Sequence, residues 1–316
     1  MLYPKNLLHK LDKELFASPT CEYRGAPFWA WNCELTAETI NEQIEMLKKM
    51  GQGGYHIHVR TGMATNYLSD EYMKFVKQSV EKGKKEEMLT WLYDEDRWPS
   101  GAAGGIVTKN KAYRARYLIL TPFPDFSQHE AAGAEIGSVS FASSQEGELL
   151  AVYDIQLNTD GTLKTYELTD ESKTACGTKW YAYLEVASPD PWFNNQTYVN
   201  TLDPKAISEF ARVTYDRYKE VVGDEFGGAI PAIFTDEPQF TQKTTLSFAH
   251  EKKQVILPWT DDLPKTFKAA YGNDILQCLP ELFWELPDSR ISLARYHYHD
   301  HVTELFATSF CDTLGK

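Results

Sequence analysis

The feature that most constrains this chain is an apolar run that stops on two adjacent acids. Ile230-Pro231-Ala232-Ile233-Phe234 leads directly into Thr235-Asp236-Glu237-Pro238. An apolar stretch of strand length bounded by glycine and proline is the pattern of a strand buried on both faces, as in parallel sheets. It delivers Asp236 and Glu237 to the C-terminal end of that strand. In a (β/α)8 barrel this is the end where the βα loops converge and catalytic groups sit. A second stretch has the same design: Thr90-Trp91-Leu92-Tyr93 runs into Asp94-Glu95-Asp96, followed by Arg97-Trp98-Pro99-Ser100-Gly101. Two acid-tipped strands predict carboxyl groups assembled for acid/base work. The plain alternative is a solvated Asp-Glu pair in a turn.

The flanking sequence alternates strand and helix. Ala26 to Asn32 is a compact aromatic run with an amide at its tip, and Thr36 then fits an N-cap for a helix marked by Ile40, Ile44, Leu47 and Met50 and stopped by Gly51. The next strand, Gly53 to Arg60, alternates His56, His58 and Arg60 onto one face. Two histidines are an incomplete metal set, so a hydrogen-bonded interior role is the preferred reading. Arg60, last on its strand, offers a fork of donors to a carboxylate or a substrate hydroxyl; the alternative is a structural ion pair. Ser69 to Lys84 reads as a helix. The glycines of Gly101-Ala102-Ala103-Gly104-Gly105 permit close backbone approach without matching a phosphate loop. Further on, Asp203-Pro204 opens a helix reaching Gly223, and Leu263–Tyr271 and Leu293–Leu314 read as helical. His297 and His301 lie four apart on the last of these and read as a polar face.

Between about Tyr113 and Pro189 the texture changes. Runs at 117–120, 148–153, 163–168 and 179–186 are strand-like, with Asn158-Thr159-Asp160-Gly161 as a hairpin turn. The expected architecture is therefore α/β: a (β/α)8 TIM-type barrel, incomplete, carrying a small antiparallel insertion. Residues 1–112 would supply an entry segment and the first βα units, 113–190 the insertion, and 191–316 further βα units beginning with Trp192 to Asn200. Four or five barrel strands are counted where eight close a barrel, so the chain is expected to be the N-terminal part of a longer enzyme, or the barrel to be completed in an unusual way.

A formal charge of -13 without Lys/Arg runs argues against nucleic-acid and anionic-membrane partners. The five cysteines are scattered and lack a CxxC pair, so reduced thiols are expected. No apolar window long enough to span a membrane occurs, and the first ten residues lack an apolar signal core, which together predict a cytoplasmic protein. No organic cofactor is indicated, and nothing marks an oligomeric state.

Pro27-Phe28-Trp29-Ala30-Trp31-Asn32, the Gly53-Gly54 strand with His58, Arg60 and Gly62, the segment Trp91 to Gly101, Pro191-Trp192-Phe193-Asn194-Asn195, and Phe234-Thr235-Asp236-Glu237-Pro238 together resemble glycoside hydrolase family 106, the α-L-rhamnosidases and their relatives. The resemblance implies a barrel enzyme that cleaves a terminal sugar from a carbohydrate substrate with two carboxyl groups, by inversion in the characterised rhamnosidases, with calcium at the sugar site. It places Glu237 as the catalytic acid beside Asp236, with Asp94, Glu95 and Asp96 as further acidic candidates and the second catalytic carboxylate on a later strand. Trp29, Trp31 and Trp98 suit stacking on a pyranose, their alternative being core packing, while Asn32, Asn194, Asn195, His58 and Arg60 suit hydroxyl recognition. A carbohydrate-binding protein without turnover is the competing function, and a metal-dependent hydrolase built on His56, His58 and the acids ranks last.

Overall fold

A computed structural model describes residues 9–125 and 147–315. The segment 1–8, on which the reading of the chain start rests, and 126–146, within the expected insertion, lie outside the described residues. In chain order the elements are α1 (Lys13–Ala17), β1 (Phe28–Trp31), α2 (Ala37–Lys49), β2 (Gly54–Val59), α3 (Asp70–Lys85), β3 (Leu89–Tyr93), β4 (Arg116–Thr121), β5 (Glu148–Leu157), β6 (Leu163–Thr169) and β7 (Thr178–Val186). There follow α4 (Pro204–Val222), β8 (Ile233–Phe234), β9 (Val255–Trp259), α5 (Leu263–Tyr271), α6 (Ile275–Cys278), α7 (Leu293–Phe306) and α8 (Asp312–Gly315). They divide into a first unit, reaching to Ile106 and resuming over Glu209–Pro238, and a second, Val107–Ser208 with the residues from Gln239 on.

The first unit is built on a parallel sheet in the order β1-β2-β3-β8. Trp31 lies beside Val59, His56 beside Trp91, and Tyr93 beside Phe234, so all four strands run the same way. The helices form where their caps predict: Thr36 Oγ1 accepts from Thr39 N, and Ser69 Oγ accepts from Tyr72 N. Their apolar faces bury Ile40, Ile44, Tyr72, Val76 and Val80 against Trp29, Trp31, Tyr55, Ile57, Val59 and Leu92 of the sheet. Trp31 meets Tyr72 edge-on at 5.5 Å, and Trp29 meets Tyr55 at 5.1 Å. Such edge-to-face pairs add specificity to the area they bury.

The strand expected from Ile230 is shorter than its apolar run. Thr90, Leu92 and Asp94 donate their N–H groups to the carbonyls of Ala229, Ala232 and Phe234, but only Ile233–Phe234 is strand. Pro231 has no N–H to give to a ladder and interrupts the regular spacing.

The second unit contains an antiparallel sheet in the order β6-β5-β7-β4-β9. The four strand runs read between Tyr113 and Pro189 are β4 to β7. The fifth, β9, was not foreseen, because Pro258 interrupts its sequence; an edge strand tolerates the missing donor, and Pro258 lies opposite Tyr117. A core of Leu118, Leu120, Tyr153, Trp180, Val255, Leu257 and Trp259 packs against Phe267, Trp284, Tyr298 and Val302 from the helical segments that follow. Trp192 to Asn200, expected to resume the strand-helix rhythm, is instead a turn. Asp190 accepts from Trp192 N, and a short 3-10 turn ends in left-handed Asn194 and Asn195, at φ 55° and 60°. The described residues thus form a mixed α/β protein with one parallel and one antiparallel sheet.

The Gly53-Gly54 pair follows from this packing. A Cβ on Gly54 would stand 2.4 Å from Leu89 O and 2.6 Å from the Trp91 ring. The first of these atoms is backbone and cannot swing away. Gly54→Ala is therefore expected to lower stability by about 1–3 kcal/mol, as overpacking does. Urea unfolding followed by circular dichroism checks this, with the midpoint falling and the slope unchanged.

Candidate active site

Side chains of a strand alternate between its two faces, and this sorts the acids. Trp29, Trp31, Ile57, Val59 and Leu92 point to the helices and are buried; Phe28, Ala30, His56, His58, Arg60, Trp91 and Tyr93 occupy the other face. Asp94, one residue past Tyr93, continues the helix-facing row, and Thr235 does the same beyond Phe234. Asp236 falls on the face of Tyr93 and Arg60.

Asp94 is fully buried and binds three hydroxyl groups. Ser100 Oγ donates to its Oδ1 at 2.6 Å; Tyr215 OH, from α4, donates to Oδ2 at 2.8 Å; Thr235 Oγ1 also donates to Oδ2. Ser100 in turn clasps the neighbouring strand tip, accepting from Asp236 N at 2.9 Å and donating its own N–H to Asp236 O at 2.8 Å. One carboxylate thus ties the end of β3, the end of β8 and α4 together. Burial pushes Asp94 up to about 6, against the pull of the three donors.

Glu95 is also fully buried. Its Oε2 accepts from the N–H groups of Gly101, Ala102 and Ala103 at 3.0, 2.8 and 2.8 Å, and its Oε1 from Asp96 N at 2.9 Å and from Gly104 N. The loop after β3 is wrapped around this side chain. Ala103, Gly101, Gly104 and Gly105 have positive φ, which turns successive N–H groups inward and explains the small residues there. Burial raises the Glu95 carboxyl to about 8, with the backbone donors pulling it down.

The open face carries a different set. Arg60 is exposed, and its Nη1 lies 3.3 Å from His58 Nε2. His58 is buried between Phe28, stacked at 4.5 Å, and Tyr93 at 4.3 Å. Burial, then the charge of Arg60, lowers its imidazole to about 4, so it is neutral near pH 7 and accepts the arginine's hydrogen bond. His56 binds Ala26 O through Nδ1 at 3.0 Å and stacks on Trp91. Asp236 is half-buried, with Tyr93 OH 3.5 Å from its Oδ2; burial, then the adjacent Glu237, raises its carboxyl, and Arg60 opposes them. Glu237 is exposed and has φ 43°. A non-glycine residue in the left-handed region is strained by about 1 kcal/mol or more, a cost that recurs at functional sites.

The remaining sequence candidates separate. Asp96 is paired with Arg97 at 3.1 Å. Trp98 is half-buried within the loop that encloses Glu95. Asn32, past the tip of β1, is approached closely by Gly62, where a Cβ would meet Asn32 O at 2.7 Å. Trp29 and Trp31 are 8% and 1% exposed on the helix side, with Trp29 Nε1 bonded to Gln43 at 2.5 Å. Those two are core residues, as strand alternation requires, and not sugar platforms. Asn194 and Asn195 belong to the second unit, where the left-handed turn alone favours asparagine. Ser100, Tyr215 and Thr235 were not singled out from the sequence. A serine, a tyrosine and a threonine so far apart become a cluster only when β3, β8 and α4 meet.

The resemblance to calcium-using enzymes puts a test to these acids. The oxygens of Asp94 and Glu95 are ringed by N–H and O–H donors, whose positive ends face the carboxylates, and this arrangement does not fit a cation. Among the described residues no group of three or more His, Cys, Asp or Glu side chains is placed to hold a metal ion.

Asp94 has a pH signature. Its folded-state value, about 6, lies above the ordinary 3.8, so the folded protein holds this proton more tightly than the unfolded chain. The resulting stabilisation is complete below pH 4 and is lost as pH rises through 6. Unfolding of wild type and Asp94→Asn between pH 4 and 7 should show wild type losing up to about 3 kcal/mol relative to the variant. A difference that stays level with pH means that Asp94 is ionised throughout.

No family model matches the sequence, and comparison with curated proteins gives no match. Among solved structures, the fold is similar to that of a rhamnosidase from Novosphingobium sp. PP1Y, with a TM-score of 0.55 and 12% identity. The similarity covers 96% of this chain and 45% of the rhamnosidase, so the chain spans less than half the length of that protein. At this identity the likeness is one of fold.

Proposed function

We propose that this chain is the core of a glycoside hydrolase that removes a terminal, α-L-rhamnoside-like sugar, its four parallel strands being part of a (β/α)8-type barrel. The observation that carries the reading is the delivery of Arg60 and Asp236 to one end of a parallel sheet, on the face away from the helices, with exposed Glu237 next in the chain. In the proposed reaction Glu237 protonates the glycosidic oxygen as the bond to the anomeric carbon breaks. Asp236, whose carboxyl is raised by burial and by Glu237, shares the local charge with it, and Arg60 limits that rise and offers donors to sugar hydroxyls. A second carboxyl group must then either activate water, about 6.5–9.5 Å from the acid, or attack directly, about 5–5.5 Å from it. Calcium, implied by the sequence resemblance, enters none of these steps. The rhamnosidase likeness supports the scaffold, and the acid-tipped strands support the chemistry.

One observation favours a second reading, carbohydrate binding without turnover. Asp94 and Glu95 have both carboxylate oxygens engaged within the protein, which leaves Asp236 and Glu237 as the better placed carboxyl groups at these strand ends.

Glu237→Gln decides between roles. It keeps the side chain's size and removes its transferable proton. Turnover of an alkyl or sugar-linked glycoside should fall about 10²- to 10⁴-fold, and that of an activated aryl glycoside much less, since a good leaving group needs little protonation. Equal losses on both substrates remove Glu237 from the acid role. The same difference seen for Asp236→Asn instead would assign the acid to Asp236. Sugar binding with no hydrolysis by wild type would establish the second reading.

A further inference from the structure

We infer that Tyr215 is a positioning residue for the Asp236-Glu237 pair, acting through the buried carboxylate of Asp94. The inference rests on the reading of that pair as the reacting carboxyl groups. Tyr215 has no need to touch a substrate. Its hydroxyl donates to Asp94 Oδ2 at 2.8 Å and lies 2.9 Å from Thr235 Oγ1, the residue before the pair. Asp94 Oδ1 takes the Ser100 hydroxyl, and the same oxygen of Ser100 receives the amide of Asp236. The tip of β8 is therefore held at two successive residues: Thr235 by its side chain on Asp94, and Asp236 by its backbone on Ser100, whose hydroxyl Asp94 fixes and whose own N–H also bonds Asp236 O. Beyond Phe234 no ladder continues to hold this segment, because the strand ends there. Side-chain hydrogen bonds take over where the sheet stops.

The polarity of the cluster explains why a tyrosine is required. Asp94 is an acceptor only, and three hydroxyl groups converge on it, each donating its one proton there. Thr235 and Tyr215 lie against each other as well, and each can spend its proton on only one partner. Removing the Tyr215 hydroxyl leaves Oδ2 with Thr235 alone, and the Thr235 hydroxyl loses the neighbour packed against it. The left-handed backbone of Glu237, next in the chain, persists only where the surroundings fix it.

The control is Tyr72, whose hydroxyl is 2.9 Å from that of Tyr218 in the same core and does not touch Asp94. Tyr72→Phe and Tyr215→Phe each delete one hydrogen-bonded hydroxyl from the first unit. Amide hydrogen exchange on the whole chain gives a readout independent of turnover. In Tyr215→Phe, exchange at Asp236 should rise about tenfold or more while amides of β2 keep their rates; in Tyr72→Phe, Asp236 should be unchanged. If the chain hydrolyses glycosides, Tyr215→Phe should also lower kcat by up to about 10²-fold with KM little altered, the effect of a misplaced reacting group. Unchanged exchange at Asp236 in folded Tyr215→Phe overturns the inference, as does an equal rise in both variants. A rise confined to Tyr215→Phe in a chain that hydrolyses no glycoside would uphold the positioning and refute the hydrolase reading.

Discussion

The first unit depends on a buried charge whose hydrogen bonds replace a sheet. A carboxylate removed from water is costly unless every oxygen is satisfied, and Asp94 meets that demand with Ser100, Thr235 and Tyr215. The demand works in both directions. Three hydroxyl groups from the loop after β3, the tip of β8 and α4 are fixed by one acceptor, so strand ends that would otherwise fray are held at defined positions. Glu95 does the same for its own loop, where successive N–H groups close on its carboxylate. Two of the acids that give the sequence its catalytic appearance are thereby scaffold. Asp236 and Arg60 lie on the open face, and Glu237, next in the chain, is exposed.

This division follows from the period of a strand. Consecutive residues face opposite ways, so a run of acids at a strand tip distributes its members between core and surface. The helix-facing members must be satisfied inside the protein, and they are. Glu95, past the last strand residue Tyr93, does not follow the alternation, because its own loop folds around it and buries it. Neutral His58, stacked between Phe28 and Tyr93 and bonded to Arg60, gives the guanidinium a neutral neighbour in place of an acid partner. Arg60 therefore acts on Asp236 by charge, opposing the rise that burial and Glu237 impose on its carboxyl.

Much of the architecture was legible because it is local. The caps at Thr36 and Ser69, the strand runs of β1 to β7 and the Asn158–Gly161 turn each carry their own chemistry within a few residues. Two of the elements misread contain a proline: Pro231 shortens β8, and Pro258 concealed β9, whose place is the sheet edge. Trp192 to Asn200 looked strand-like from its aromatic residues, whereas its shape comes from the Asp190 side chain and two left-handed asparagines. The acids were visible as candidates, but their assignment to core or open face turns on where each strand ends, to a single residue. Tyr215 was out of reach for another reason. Its partner lies 121 residues away, and one sequence without its fold offers no sign that the two meet.

The central claim is that Asp94 couples the tips of β3 and β8, and a double-mutant cycle measures that coupling directly. Unfolding free energies of wild type, Asp94→Asn, Ser100→Ala and the double variant give the energy shared by the two side chains. The structure predicts that the single losses exceed additivity by about 0.5–3 kcal/mol, because either change breaks the same connection. Strict additivity of the two losses would contradict it.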